Sequence, residues 1–146
     1  MPGIGDTNRL ASLYDHITAA GLVYPTGAAG ATVLTGVAVW TWSVAYNPVV
    51  PINTINSRYH IHSVTIETCN VGTDAVYELQ LYRGVANVPV ASIRFSVAGG
   101  FFGNQVYPVS AALIGPGEQV DARCMSSDGL AHPATLTISV CYCIED

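Results

Sequence analysis

The chain has 146 residues, the size of one ordinary domain, and it contains no lysine. Its net charge is −5, only 10% of its residues are charged and 50% are apolar, whereas typical soluble domains are about a quarter charged. Five scattered arginines do not form the basic patch that nucleic-acid binding needs, and no stretch approaches the ~20 apolar residues that span a bilayer. We therefore expect neither nucleic acid nor a membrane as partner, and we expect other protein subunits to cover much of this weakly charged surface.

The N-terminal segment is predicted to form a short helix, which Asp6 or Thr7 can cap. Residues 23–30 are rich in proline and glycine and predict a linker. The chain is thus divided into an N-terminal arm or helix with its linker, residues 1–30, and a β-sandwich domain, residues 31–146. The apolar residues of the helix recur at helical spacing and form one stripe suited to docking on a neighbouring subunit: Leu10, Leu13, Tyr14 and Ile17.

After residue 30 the pattern changes to the two-residue alternation of β-strands. Each predicted strand has one apolar and one polar face, which is typical of antiparallel sheets with one side on the core. We expect an all-β fold: an antiparallel β-sandwich of about seven or eight strands, jelly-roll-like, with a short N-terminal helix or arm. The predicted strands cover residues 32–46, 58–68, 75–83, 90–97, 105–110, 119–125 and 134–144.

Two aromatic pairs complete the candidate interface residues. Trp40 and Trp42 lie on one face of the first predicted strand, and three interpretations are open: burial in the core, anchoring of an interface, or a platform for a sugar. Phe101 and Phe102 stand between glycines, which is difficult to reconcile with a core strand and favours a subunit contact.

The ionisable residues predict no catalytic or metal centre, and we expect no enzyme activity and no cofactor. His60 and His62 share one strand face, but a metal site needs a third ligand. Glu67 and Glu78 are expected to be cross-strand neighbours because a short turn joins their strands, and surface ion pairing explains such carboxylates better than glycoside hydrolysis does. The four cysteines lack metal-binding spacing and are expected to be reduced, either buried or in an interface: Cys69, Cys124, Cys141 and Cys143.

Six segments share one pattern of strands and turns: residues 59–67 (YHIHSVTIE), 76–84 (VYELQLYRG), 91–97 (ASIRFSV), 103–109 (GNQVYPV), 120–128 (VDARCMSSD) and 134–142 (ATLTISVCY). In this pattern the chain resembles small virion structural proteins of tailed bacteriophages, the capsid decoration or cement class. The resemblance implies a β-rich body, often trimeric, that binds the major capsid protein on the outer surface of the phage head after assembly in the host cytoplasm. It also implies an N-terminal arm that reaches a neighbour, and it carries over no catalytic residues.

The alternative is a tail or fibre component that binds a host receptor or a glycan through Trp40 and Trp42.

Overall fold

The computed structural model describes residues 22–70, 75–97, 104–128 and 134–145. Within these ranges the chain forms two sheets of antiparallel strands, which confirms the predicted all-β sandwich. The predicted N-terminal helix lies outside the described residues. The strands are β1 (Leu22–Tyr24), β2 (Ala31–Leu34), β3 (Asn47–Val50), β4 (Tyr59–Cys69), β5 (Ala75–Arg83), β6 (Val88–Val97), β7 (Gln105–Pro108), β8 (Val120–Ser126) and β9 (Thr135–Ile144).

The strand order is that of a long hairpin folded over on itself. Sheet A has the order β1-β9-β4-β7, with β2 also paired to β9, and sheet B has the order β3-β8-β5-β6. Strands β1 and β2 follow one another along the same strand β9, from the pair Leu22–Tyr142 to the pair Leu34–Thr135. The first strands therefore pair with the last, β3 with β8, β4 with β7 and β5 with β6. This nesting in two sheets is the jelly-roll arrangement.

The core lies between the inner faces of the two sheets, as the alternation predicts. In β5, Tyr77, Leu79 and Leu81 are buried, whereas Glu78 and Gln80 lie on the outer face. Full burial of an aliphatic or aromatic side chain contributes about 1.5–3 kcal/mol, so two buried faces supply the main stabilising term. A run of rings joins the sheets: Tyr77 stacks on Phe95 with centroids 5.2 Å apart, and Phe95 meets Tyr107 of β7 at 5.5 Å.

The single strand predicted over residues 32–46 is wrong. Strand β2 ends at Leu34, and β3 begins only at Asn47. Between them the chain passes from sheet A to sheet B, because Thr35 forms a bridge to Cys124 of β8 and the Gly36 N–H donates to the Cys124 carbonyl at 3.1 Å. The alternating apolar and aromatic residues of this region belong to an irregular surface segment, residues 36–46.

Two proline-containing regions also differ from their sequence interpretation. The strand predicted over residues 32–46 ends before Pro48, whereas in the structure Pro48 lies inside β3. Strand β3 is the edge strand of sheet B and has no neighbouring strand of that sheet on its outer side. A proline nitrogen that faces this outer side breaks no hydrogen bond between strands. In the predicted linker, residues 23–30, the first part belongs to β1, so sheet A already begins at Leu22.

Candidate interaction surface

A cluster of rings and guanidinium groups covers part of the outer face of sheet B. Strands β5, β6 and β8 place three of its side chains outward, since alternate residues of each strand point into the core. Segment 36–46 supplies the other three side chains. This segment lies along the part of the β8 edge that β3 does not cover. We call the cluster the aromatic–arginine patch: Trp40, Trp42, Tyr46, Tyr82, Arg94 and Arg123.

Backbone hydrogen bonds hold segment 36–46 against β8. The Trp40 N–H donates to the Ser126 carbonyl at 2.8 Å, and the Ser43 N–H donates to the Cys124 carbonyl at 3.2 Å. Residues 38–41 form a tight turn, which is closed by the Thr41 N–H donating to the Ala38 carbonyl at 3.2 Å. These hydrogen bonds fix the backbone positions from which the two tryptophan side chains extend.

Trp40 has an unusual backbone conformation. Its φ is 49°, in the left-handed region that bulky residues rarely adopt and that costs of order 1–3 kcal/mol. The residue is nevertheless 42% exposed, and the Arg94 guanidinium lies 5.2 Å from the centre of its ring. The fold thus holds an indole at the surface at an energetic cost that the hydrogen bonds of the segment offset.

Arg123 is enclosed by three rings. Its guanidinium carbon lies 4.3 Å from the ring centre of Tyr46, 5.1 Å from that of Tyr82 and 5.6 Å from that of Trp42. Its Nε and Nη2 groups donate to the Tyr82 hydroxyl at 3.3 and 3.1 Å, and that hydroxyl donates to Gln80 Oε1 at 2.6 Å. Each such cation–ring contact contributes about 0.5–2 kcal/mol, so the guanidinium plane is held firmly in place.

Two carboxylates of the same outer face, those of Glu78 and Asp121, have partners other than Arg123. Glu78 accepts from Ser92 and Arg94, both at 3.4 Å, and the Arg94 side chain is 63% exposed. Asp121 is buried and accepts from Gln119 at 2.9 Å, and burial raises the pKa of its carboxyl group. Among the described residues the ion pairs are Glu78–Arg94 and His60–Glu145, so no described carboxylate lies within ion-pair distance of Arg123.

A second surface feature is an open, mainly apolar cleft of about 440 Å³ at one end of the sandwich. It lies where β5 turns into β6, beside the turn that precedes β8. Arg83 and Glu118 are its charged residues, and Arg83 Nη1 donates to the Leu113 carbonyl at 2.9 Å. Its apolar lining includes Ile52, Val85, Val88 and Pro116.

The structure excludes one of the three interpretations of the tryptophan pair. Burial in the core is wrong, because Trp40 is exposed and Trp42 is half-buried on the outer face of sheet B. The other candidate interface residues lie outside the described ranges: Leu10, Leu13, Tyr14, Ile17, Phe101 and Phe102.

The candidate chemical groups are dispersed. Glu67 and Glu78 are not cross-strand neighbours, because β4 and β5 belong to different sheets. Glu67 Oε2 instead accepts the Gly30 N–H at 2.7 Å, and His60 Nδ1 contacts Glu145 Oε1 at 2.6 Å near the end of β9. Within the described ranges, no three residues of the types histidine, cysteine, aspartate or glutamate come together as metal ligands would.

All four cysteines are free thiols. Cys69, Cys124 and Cys143 are buried, and Cys141 is half-buried. Burial raises the pKa of Cys69 to about 11, and it also raises the pKa of Cys124 and of Cys143. The buried thiols are therefore protonated at neutral pH and are poor nucleophiles.

No protein-family model matches the chain, and no curated protein matches it either. No helix in the described part of the chain has the length and apolar character needed to cross a membrane. The sandwich fold and its exposed side chains are therefore the features of this chain that bear on its function.

Proposed function

We propose that this protein is a viral structural protein, a capsid decoration or cement subunit that binds the major capsid protein on the outer surface of a phage head and stabilises the head. The supporting observation is the amount of apolar side chain at the surface. Thirteen large apolar residues in the described part of the chain are 37% exposed or more. In a chain with only 10% charged residues, such a surface is well suited to cover by neighbouring subunits.

These exposed residues lie on several sides of the sandwich. One group lies in segment 36–46, where Val44 is 97% exposed. A second group surrounds the cleft, and a third lies on β1 and at the end of β9. The three groups are Val37, Val39, Trp40 and Val44; Ile52, Val85, Val88 and Leu113; and Leu22, Val23 and Ile144.

Contacts on several sides match the mechanics of a cement subunit. A standard interface takes about 800 Å² from each partner, one tenth of the 8000 Å² surface of this chain, so several neighbours can bind at once. A subunit that spans the junctions between capsomers adds buried area at each junction, and many weak contacts combine through avidity. This role needs no catalytic step, and it fits a homotrimer on the exterior of the virion.

Sedimentation velocity and co-sedimentation test this proposal. We expect the full chain to sediment as a trimer and to bind saturably to heads of the encoding phage that lack it, and we expect those heads to melt at a higher temperature when it is bound. Val44→Asp should weaken head binding without unfolding the chain, because Val44 is almost fully exposed. Ser57→Asp adds the same charge at another exposed position and serves as the control. A monomer that ignores the heads contradicts the proposal.

The exposed indole of Trp40 favours one alternative, a tail or fibre component that binds a host receptor or glycan. A glycan array with wild type and Trp42→Ala separates the two functions. Binding of a defined glycan that Trp42→Ala loses would favour the tail or fibre role, whereas the decoration role predicts an array without bound glycans.

A further inference from the structure

We propose that the aromatic–arginine patch is a docking site for an acidic segment of a protein partner, with Arg123 as the residue that takes its carboxylate. This site adds detail to the proposed function. It rests on the proposed function in one respect, which is that the partner is a protein. The geometry of Arg123, the charges around it and the state of the ring faces each support the choice of ligand.

Arg123 has a donor edge that no described residue uses. A guanidinium carries five N–H donors in one plane, and Arg123 directs its Nε and Nη2 groups to the Tyr82 hydroxyl. The edge formed by Nη1 and Nη2 remains, and this edge matches the two oxygens of a carboxylate. The rings of Trp42, Tyr46 and Tyr82 hold the guanidinium plane before a partner arrives, which lowers the ordering cost of binding.

The charges on this face favour an acidic ligand. The chain has a net charge of −5, yet two of its five arginines stand in the patch. Glu78 pairs with Arg94, and Asp121 is buried beside Gln119, so neither neutralises Arg123. Arg123 is therefore a cation with no ion-pair partner among the described residues, in a protein whose net charge is −5, and charge complementarity selects a partner segment that carries carboxylates.

The state of the rings favours a carboxylate over a sugar. A sugar platform needs an aromatic face that is open to the ligand. Arg123 lies over the rings of Trp42, Tyr46 and Tyr82, and Arg94 lies over the ring of Trp40. One face of each ring is thus occupied by a guanidinium, and the combination of tryptophan, tyrosine and arginine is typical of the residues that dominate protein interfaces.

Intrinsic fluorescence reports on this patch without a label, because Trp40 and Trp42 are the two tryptophans of the chain. The probe is an acetylated octapeptide of alternating glutamate and alanine, titrated into the full chain at low salt. We expect a saturable change in tryptophan emission that weakens as salt is added, since exposed charges are screened. The matched peptide with glutamine in place of glutamate is expected to bind at least tenfold more weakly, and lactose, a sugar without a carboxylate, is expected to leave the emission unchanged.

Three variants complete the test, each with its fold checked by circular dichroism. Arg123→Ala is expected to weaken binding of the glutamate peptide at least tenfold. Arg123→Lys keeps the charge but not the planar guanidinium, so it is expected to bind the glutamate peptide several-fold more weakly than wild type does. If Arg123→Ala does not fold, Arg123→Lys provides the test. Arg58→Ala removes an exposed arginine outside the patch and is expected to bind as wild type does.

Equal binding of the glutamine peptide, full binding by both Arg123 variants, or binding of lactose but not of the glutamate peptide would each overturn this docking site. The site and the proposed function fail separately. If Arg123→Ala binds phage heads as well as wild type does, the docking site is refuted and the decoration role stands. If the peptide binds as expected but wild type ignores the heads, the decoration role is refuted and the patch remains an acidic-peptide site.

Discussion

Replacing Gly36 with alanine tests the path of segment 36–46, on which the patch depends. A Cβ on Gly36 would overlap the carbonyl oxygen of Thr41, and it would lie 2.7 Å from the carbonyl carbon of Thr41 and 2.9 Å from that of Trp42. All three are backbone atoms, so no side-chain rotation relieves the overlap. The whole segment has to move away from its position beside β8.

The size of the effect follows from these contacts. Overpacking costs about 1–3 kcal/mol, and movement of the segment weakens two hydrogen bonds to β8, from Gly36 to Cys124 and from Trp40 to Ser126, each worth about 1 kcal/mol. We expect Gly36→Ala to lower the free energy of unfolding by about 2–4 kcal/mol. For a chain of this size, that corresponds to a fall in melting temperature of roughly 6–12 °C.

Thermal unfolding followed by circular dichroism measures the loss, and tryptophan emission shows whether the patch is disturbed. We expect the emission of Gly36→Ala to shift to the red as the indoles become more exposed. Gly27→Ala is the control: its φ of 66° makes alanine unfavourable by about 1–2 kcal/mol, but no atom of the described residues lies within 4 Å of the new Cβ and the emission should not change. A Gly36→Ala chain with the melting temperature and emission of wild type would refute the described path.

Three further predictions concern the core and the thiols. Leu136→Ala in β9 should cost about 2–5 kcal/mol in urea unfolding because the side chain is fully buried, while the half-buried Thr137→Ala should cost far less; equal losses would contradict the assignment of inner and outer faces. Burial raises the pKa of Cys69 from 9.0 to about 11, so its neutral thiol stabilises the fold fully below pH 9, and about 3 kcal/mol is lost as the pH rises through 11. Urea unfolding at pH 8 and pH 11 should show a smaller alkaline loss in Cys69→Ala, and an unchanged loss would contradict this origin. In a thiol-titration assay of the native chain, Cys141 should react first and Cys124 only on unfolding, whereas rapid reaction of all four thiols would contradict their burial.

Local alternation was sufficient to predict most of the strands. The prediction for β5 agrees with the structure at both ends, because Tyr77, Leu79 and Leu81 on the core alternate with Glu78 and Gln80 outside. The prediction failed in residues 32–46, where alternating apolar and aromatic residues also suit a surface segment. That segment turns at Gly36 and Trp40, and its path is set by contacts with β8, about 85 residues later in the chain, rather than by its own pattern.

The candidate site was predictable in part. Trp40 and Trp42 were identified as interface candidates from their residue type, and the alternation of β6 and β8 is consistent with Arg94 and Arg123 on outer faces. Their assembly into one patch was not predictable, because it depends on β8 lying beside β5 and β5 beside β6. The same kind of strand order separates Glu67 from Glu78, which a short connection had suggested to be neighbours. Strand order in a jelly roll is determined by distant pairings that no local pattern encodes.

The two flanks of the sandwich offer unequal templates for strand pairing. On one flank the sheets end in the short strands β1, β2 and β3, and β3 contains Pro48, which has no N–H to donate. On the other flank sheet B ends in β6, which is ten residues long. A long edge strand is the place where a second chain can extend a sheet. Pro89 and the hydrogen bond from the Ala112 N–H to the Val90 carbonyl shorten this template to residues 91–97, and pairing of β6 with the β6 of a second copy would close a dimer without starting a filament.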